Sequence, residues 1–236
     1  MKKLLLLPLL LLSTLTLQAQ KKNLILNYDF TQVQGNIVKD RSRTHADAIL
    51  KGGATVENGI LNLGTSNGYL DMTPLAGKAI SDLADFTVYA RYKIDASLQI
   101  KGYGYFLWCF SCLEANQAKE GPYHAYRINE QRLETSIGGY TQETGIQKSQ
   151  PSIQDKWITV IYRQHNAQGE LYIDGTLIGT ESAFPEFHDI FTQSPQFNWI
   201  GRPPFNGDNY LSRTQVSDFR IYNTALTDKQ MKKLMK

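Results

Sequence analysis

Nine consecutive residues, Phe86-Thr-Val-Tyr-Ala-Arg-Tyr-Lys-Ile94, alternate between two sets of side chains. Phe86, Val88, Ala90, Tyr92 and Ile94 make one set; Thr87, Tyr89, Arg91 and Lys93 make the other. A period of two places one set in a core and the other outside it, which an α-helix cannot do. Residues 157–163 repeat the pattern with Ile158, Val160 and Tyr162 on one face, and residues 216–222 set Phe219 and Ile221 against Asp218, Arg220 and Tyr222. Residues 169–180 read as a hairpin: Leu171-Tyr-Ile173, the turn Asp174-Gly175, then Thr176-Leu-Ile178. Asp-Gly suits a two-residue turn whose central residues both take positive φ. Shorter strands fit residues 24–30, 48–50, 59–63, 69–72, 105–113, 124–129, 134–138 and 197–201, separated by Gly, Asn, Asp and Pro at sandwich-like spacing. Only the C-terminus reads as helix. Thr227 and Gln230 form a capping-box pattern, Asp228 suits the positive helix end, and Lys232, Lys233 and Lys236 suit the negative end. Leu226, Met231 and Leu234 would pin that helix to the sandwich. No linker-like tract or repeat breaks the chain after residue 20, so residues 20–236 are expected to form one all-β, two-sheet antiparallel sandwich with a short C-terminal helix.

Residues 1–19 read as an export signal. Lys2 and Lys3 supply the positive start, Leu4 to Leu12 an almost pure leucine stretch, and Leu17-Gln-Ala19 a cleavage site. Ser13, Thr14 and Thr16 interrupt the apolar run, which is shorter than the roughly 20 residues of a spanning helix. No Cys follows the cleavage site to carry a lipid. The mature chain is expected to begin at Gln20 and to be exported: periplasmic, attached to the cell surface or secreted. Setting Lys2 and Lys3 aside leaves 23 basic against 22 acidic residues. A near-neutral chain without a basic block suits neither nucleic acid nor an anionic membrane surface.

Export would put Cys109 and Cys112 in an oxidising or mixed compartment. Positions an odd number apart on a strand face opposite ways, so a bridge needs a local bulge. No second Cys or His pair at matching spacing supports zinc, and no strand runs into a helix at Cys109 to support redox chemistry. The pair reads as two packed thiols or a locally bulged disulfide.

Asn27-Tyr-Asp-Phe30, Val38-Lys-Asp-Arg-Ser42 and Gly59-Ile-Leu-Asn-Leu63 resemble the opening of laminin G-like domains of the concanavalin A-like lectin/glucanase superfamily. Asp85-Phe-Thr-Val88, Trp157-Ile-Thr-Val160, Leu171-Tyr-Ile-Asp-Gly175, Asn198-Trp-Ile-Gly201 and Ser217-Asp-Phe-Arg-Ile-Tyr-Asn223 continue the resemblance in order. It implies a jelly-roll sandwich of two curved antiparallel sheets, glycan recognition, and a structural calcium ion near a sandwich edge as an option. Oxygen-rich turns stand at Asp40-Arg-Ser42 and Asn206-Gly-Asp-Asn209, neither with a full calcium ligand set. No other cofactor is called for.

Catalytic relatives carry carboxylates two apart on one strand, because retaining hydrolysis needs an acid and a nucleophile roughly 5 Å apart. This chain has no Glu-x-Asp or Asp-x-Glu. Glu170 and Asp174 are the nearest candidates, and Asp174 heads the hairpin turn; Glu130 and Glu134 flank another turn. The lyase alternative has only a suggestive His124, Tyr126, Arg127 cluster. No Gly-x-Ser-x-Gly elbow offers a serine nucleophile, and His45, His165 and His188 read as exposed loop residues. A noncatalytic glycan binder therefore leads, with a glycoside hydrolase or polysaccharide lyase second and a protein-interaction domain third. Sugar binding asks for aromatic faces and planar polar groups converging in one concavity. Tyr123, His124, Tyr126 and Arg127, with Tyr140 nearby, form one candidate group; Arg202, Phe205, Asp208, Asn209 and Tyr210, on a loop too decorated to be a mere connector, form the other. Trp108, Trp157 and Trp199 are expected in the core.

Overall fold

The computed structural model describes residues 22–113 and 120–235. The export-signal reading and the cleavage point at Gln20 lie outside the described residues.

Two antiparallel sheets pack face to face. The eight-stranded sheet runs β15 (Thr176–Glu181), β14 (Gln168–Ile173), β13 (Trp157–His165), β8 (Phe86–Ile94), β17 (Thr214–Tyr222), β6 (Ile60–Asn62) and β5 (Thr55–Glu57), with β1 (Leu24–Tyr28) also paired to β17. The nine-stranded sheet runs β12 (Glu143–Gln147), β11 (Arg132–Ser136), β10 (Tyr123–Arg127), β9 (Phe106–Ser111), β16 (Phe197–Ile200), β7 (Tyr69–Asp71), β4 (Ala48–Lys51), β3 (Ile37–Val38) and β2 (Val33–Gln34). The expected all-β sandwich is what the chain forms.

Alternation decides what lies between the sheets. Phe86, Val88, Ala90, Tyr92 and Ile94 of β8 are fully buried there, joined by Trp108, Phe110 and Tyr126 from the other sheet. Trp108 stacks on Tyr126 at 5.0 Å and meets Phe219 edge-on at 6.1 Å. The other two tryptophans depart from expectation. Trp157 has the opposite parity to Ile158 and lies half-buried on the outside, under Arg91 at 4.7 Å and Lys93 at 5.7 Å. Trp199 is buried on the outer face of the nine-stranded sheet, in register with Cys109 and covered by Arg202.

The Asp174-Gly175 turn takes the expected form, with φ of 48° and 79°. The Asp174 carboxylate also accepts a hydrogen bond from the Thr159 backbone N–H at 2.8 Å, a structural use of that acid. Helices α1 (Thr73–Ile80) and α2 (Phe187–Ile190) were not expected. Pro74 in the first turn starts α1, and Gly77 lets it press on the Pro195 carbonyl, which an added Cβ would meet at 1.7 Å. The expected last helix, α3 (Asp228–Leu234), carries the full Thr227–Gln230 capping box. Its Met231 packs with Leu226, Tyr89, Ile161 and Tyr222 on the outer face of the eight-stranded sheet. No helix among the described residues is long and apolar enough to cross a membrane.

Cys109 and Cys112 are free thiols. Cys109 joins an outer-face cluster with Phe106, Tyr123 and Ala125, whereas Cys112 belongs to the inter-sheet core, so the disulfide alternative falls. Burial pushes Cys112 up to about 11 and Cys109 well above the ordinary thiol value, leaving neither as a thiolate.

Candidate functional site

The outer face of the nine-stranded sheet is built by one parity of three neighbouring strands. Tyr123, Ala125 and Arg127 of β10, Arg132, Glu134 and Ser136 of β11, and Glu143 and Gly145 of β12 share it. Register then sets neighbours: Ala125 opposes Glu134, which opposes Gly145, while Arg127 opposes Arg132 and Ser136 opposes Glu143. Small residues on both sides of Glu134 leave room above it. A Cβ at Gly145 would meet the Arg132 Nε at 3.1 Å, so glycine there clears the way for Arg132 to reach Glu143.

The loop after β16 folds back over this face. Phe205 lands edge-on among Phe106, Tyr123 and Tyr140, at centroid distances of 6.2, 5.3 and 6.1 Å. Between loop and sheet opens a hollow of about 690 Å³, walled by Tyr103, Phe106, Tyr140 and Phe205 and by the polar groups of Arg127, Arg132, Glu134, Glu143, Asn206 and Asp208. Tyr103 and Tyr140 stand at its mouth, 73% and 55% exposed. Their ring faces are open to whatever enters the hollow.

A charge network floors the hollow. Arg127 contacts Glu130 at 2.7 Å and Glu134 at 3.2 Å; Arg132 contacts Glu134 at 3.2 Å and Glu143 at 2.8 Å. The Tyr123 hydroxyl donates to Glu143. Glu134 is only 1% exposed. Burial pushes its carboxyl up to about 8; Arg127 and Arg132 pull it down, while Glu143 and Glu130 add to the rise. Burial likewise raises Asp208, with Arg127 opposing. Such a floor offers fixed acceptors and donors beneath apolar walls, the combination that orients a polyhydroxyl ligand.

The sequence profile described as the concanavalin A-like lectin/glucanases superfamily, of laminin G type, matches residues 63–232. The chain belongs to this superfamily. Among solved structures, this concanavalin A-like domain is similar to the botulinum neurotoxin serotype D binding domain, at 15% identity and TM-score 0.68 over 92% of this chain and 51% of that one. It is also similar to a structure of botulinum neurotoxin type C, a toxin dependent on two ganglioside molecules to enter cells, at 18% identity and TM-score 0.63 over 93% and 52%. Trypanosoma rangeli sialidase in complex with sialic acid matches at 17% identity and TM-score 0.61, over 91% and 33%. At these identities the likeness is one of fold, and the chain spans about half or a third of those structures. No curated protein sequence matches it.

Of the residues singled out from sequence, the concanavalin A-like fold gathers Arg127, Tyr140, Phe205 and Asp208 around the hollow, with Tyr123 beneath Phe205. His124 and Tyr126 are corrected to the core, because they have the opposite parity to Tyr123 and Arg127. His124 lies among Phe86, Phe110, Tyr162 and Phe187, and Tyr126 under Trp108. The suggestive lyase cluster is thereby split. Arg202 and Tyr210 sit farther along the same sheet: Arg202 lies over Trp199 at 4.1 Å and Tyr69 at 5.2 Å, and Tyr210 packs on Tyr69 at 6.0 Å. Asn209 is a clamp, its amide donating to the Lys101 and Tyr103 carbonyls at 3.1 and 2.9 Å. Glu170 is taken by Arg163 at 2.5 Å, and His45, His165 and His188 are exposed.

Sequence reading missed Tyr103, Phe106, Arg132 and Glu143, and weighed Glu134 and Asn206 only as a turn-flanking carboxylate and a calcium option. The signal for three of them was parity: Arg132 and Glu134 alternate with Leu133 and Thr135, and Glu143 alternates with Ile146 through Gly145. The calcium option does not fit the Asp40 turn. Both Asp40 oxygens are filled by donors: the Asn27 and Ser42 N–H at 2.9 Å each, the Ser42 hydroxyl at 2.8 Å and the Ala46 N–H at 2.9 Å. In the Asn206–Asn209 turn, Asp208 is the one charged ligand, short of the roughly six to eight oxygens calcium takes.

Proposed function

We propose that this protein is an exported, noncatalytic carbohydrate-binding module whose glycan lies in the hollow between Phe205 and strands β10 to β12. The observation that carries the reading is the meeting of four aromatic walls with two arginines, two glutamates, Asn206 and Asp208 in one 690 Å³ space. Aromatic faces suit the C–H face of a sugar ring, and fixed planar polar groups suit its hydroxyls. The ganglioside dependence of one structural neighbour and the sialic acid bound by another support glycan recognition on this fold.

The hydrolase alternative has one specific observation in its favour, the carboxylates of Glu134 and Glu143 bridged by Arg132. A general acid must touch the glycosidic oxygen, and Glu134 lies almost wholly covered between two guanidinium groups. Binding without turnover is therefore the reading preferred here.

A glycan array with the purified protein, followed by calorimetry on the hits, tests it. Asp208→Ala should weaken binding tenfold or more, since a charge-assisted hydrogen bond contributes about 1.5–3 kcal/mol, and Phe205→Ala should weaken it by removing an apolar face for the sugar ring. Asp208→Ala should melt within a few degrees of the parent, as changes at a surface loop generally do, whereas Phe205→Ala also removes a ring packed on Phe106, Tyr123 and Tyr140 and should melt lower while still folding. Unchanged affinity in both variants would remove the hollow as the site. New reducing ends that appear with the parent and vanish with Glu143→Gln would restore the hydrolase.

A further inference from the structure

We propose that the hollow selects uncharged saccharides and excludes sugars bearing carboxylate or sulfate groups. The proposal rests on the glycan-binding reading above and adds the chemical class of the ligand.

An acidic sugar is normally held by a guanidinium or ammonium group with donors to spare. Two arginines line the hollow, and each already hydrogen-bonds a carboxylate through Nη2, Arg127 to Glu130 and Arg132 to Glu143. Arg127 faces Glu130 and Glu134, and Arg132 faces Glu134 and Glu143. The one phenol beneath, Tyr123, donates its hydrogen bond to Glu143. Some guanidinium N–H groups stay unbonded, the buried Arg127 Nε among them, but neither arginine lacks a carboxylate partner, and acceptor capacity stays open at the rim. The half-buried Asp208 carboxylate makes no side-chain hydrogen bond or ion pair among the described residues, and neither does the Asn206 amide beside it at the rim. A neutral sugar fits this inventory: its hydroxyls donate to Asp208 while its C–H face rests on Phe205 and the exposed Tyr103 and Tyr140.

The balance of charge points the same way. Glu130, Glu134, Glu143 and Asp208 surround Arg127 and Arg132. Even with Glu134 held protonated by burial, three carboxylates face two guanidinium groups. A carboxylate or sulfate entering the hollow loses water, meets no unpaired cation and approaches Asp208 and Glu143. Like charges brought together in this way are a device for rejecting wrong partners. The sialic acid held by the trypanosomal sialidase accordingly does not carry over to this chain.

Matched pairs of oligosaccharides differing only in charge test the proposal by calorimetry on the purified protein: lactose with sialyllactose, a gluco-oligosaccharide with its C6-carboxylated form, and a galactan fragment with its sulfated form. In the pair that binds, the neutral member should bind at least tenfold more tightly than its acidic partner. Asp208→Asn and Glu143→Gln should narrow that gap, and so should raised salt. An acidic member that binds as tightly as its neutral partner, with binding still lost in Phe205→Ala, would overturn the selectivity while leaving the glycan site standing. A gap untouched by both charge-removing variants would also overturn it. Binding by no member of any pair, neutral or acidic, together with an empty glycan array, would take down both readings.

Discussion

His124 and Glu134 lie on neighbouring strands and on opposite faces of one sheet, and burial moves them in opposite directions. The His124 ring nitrogens have no partner, and burial pulls its pKa down to about 3. Between about 6.5 and 3 the unfolded chain holds a proton the native chain refuses, so stability falls as pH drops through that window. Glu134 is the reverse. Its carboxyl rises to about 8 from an ordinary 4.5, so the native chain holds the extra proton and stability falls as pH climbs through that range. Urea melts from pH 4 to 9 separate the two. His124→Leu should remove the acid-side loss and stabilise by about 1–3 kcal/mol, because unpaired buried polar atoms are replaced by apolar ones. Glu134→Gln should flatten the alkaline side alone. A parent curve whose two sides survive these substitutions would refute the assignment. The faces of both residues were legible in the sequence through parity: Tyr126 and Ile128 are apolar, so His124 goes inward with them and Arg127 goes outward. Grouping residues by closeness in sequence, instead of by alternation, put His124 and Tyr126 in the wrong place.

At the scale of elements, the long strands were readable because nine residues of alternation outweigh any local propensity. Strand β12 was not, since Glu143-Thr-Gly-Ile-Gln147 is short and carries a glycine, so its Glu143 went unseen. Nor was the partner of the 201–210 loop readable. Gly104 and Asn209 form an isolated parallel bridge between segments about a hundred residues apart, and no local pattern announces a tertiary clamp. Gly104, at φ 108°, has no room for a Cβ, which would meet the Asn209 carbonyl oxygen at 2.4 Å. This clamp holds in place the loop that carries Phe205 and Asp208. Asn209→Asp keeps the shape but turns an acceptor toward two carbonyls, so glycan binding should fall several-fold, at least as far as in Asn209→Ala. Hydrogen bonds of this kind contribute about 1 kcal/mol each, so melting should drop by only a few degrees. A residue that accepts from the sugar itself would tolerate Asp, and full binding by Asn209→Asp would show that Asn209 is a ligand contact.

Across the whole molecule, the two outer faces have been given different work. The eight-stranded sheet is closed outside by α3, whose Met231 fills a cluster with Tyr89, Ile161, Tyr222 and Leu226. The nine-stranded sheet is left open under the Phe205 loop, and there the aromatic and charged residues gather. The continuous core between the sheets separates these faces, so stability and recognition should respond to different substitutions. Met231→Ala leaves a cavity on the closed face. Buried Met→Ala substitutions cost about 2–5 kcal/mol, and a terminal helix can settle partly into the gap, so about 2 kcal/mol is expected. For a chain of this size, that lowers the melting temperature by roughly 4–8 °C. The folded protein should bind its glycan as the parent does, because sites that share no partners act independently. Asp208→Ala should give the converse, lost binding on an almost unchanged melt. Calorimetry well below the melt, on both variants from matched preparations, checks the separation. Weaker binding by fully folded Met231→Ala would mean that the core transmits strain from one face to the other, and the open sheet would then depend on its covered partner for its shape.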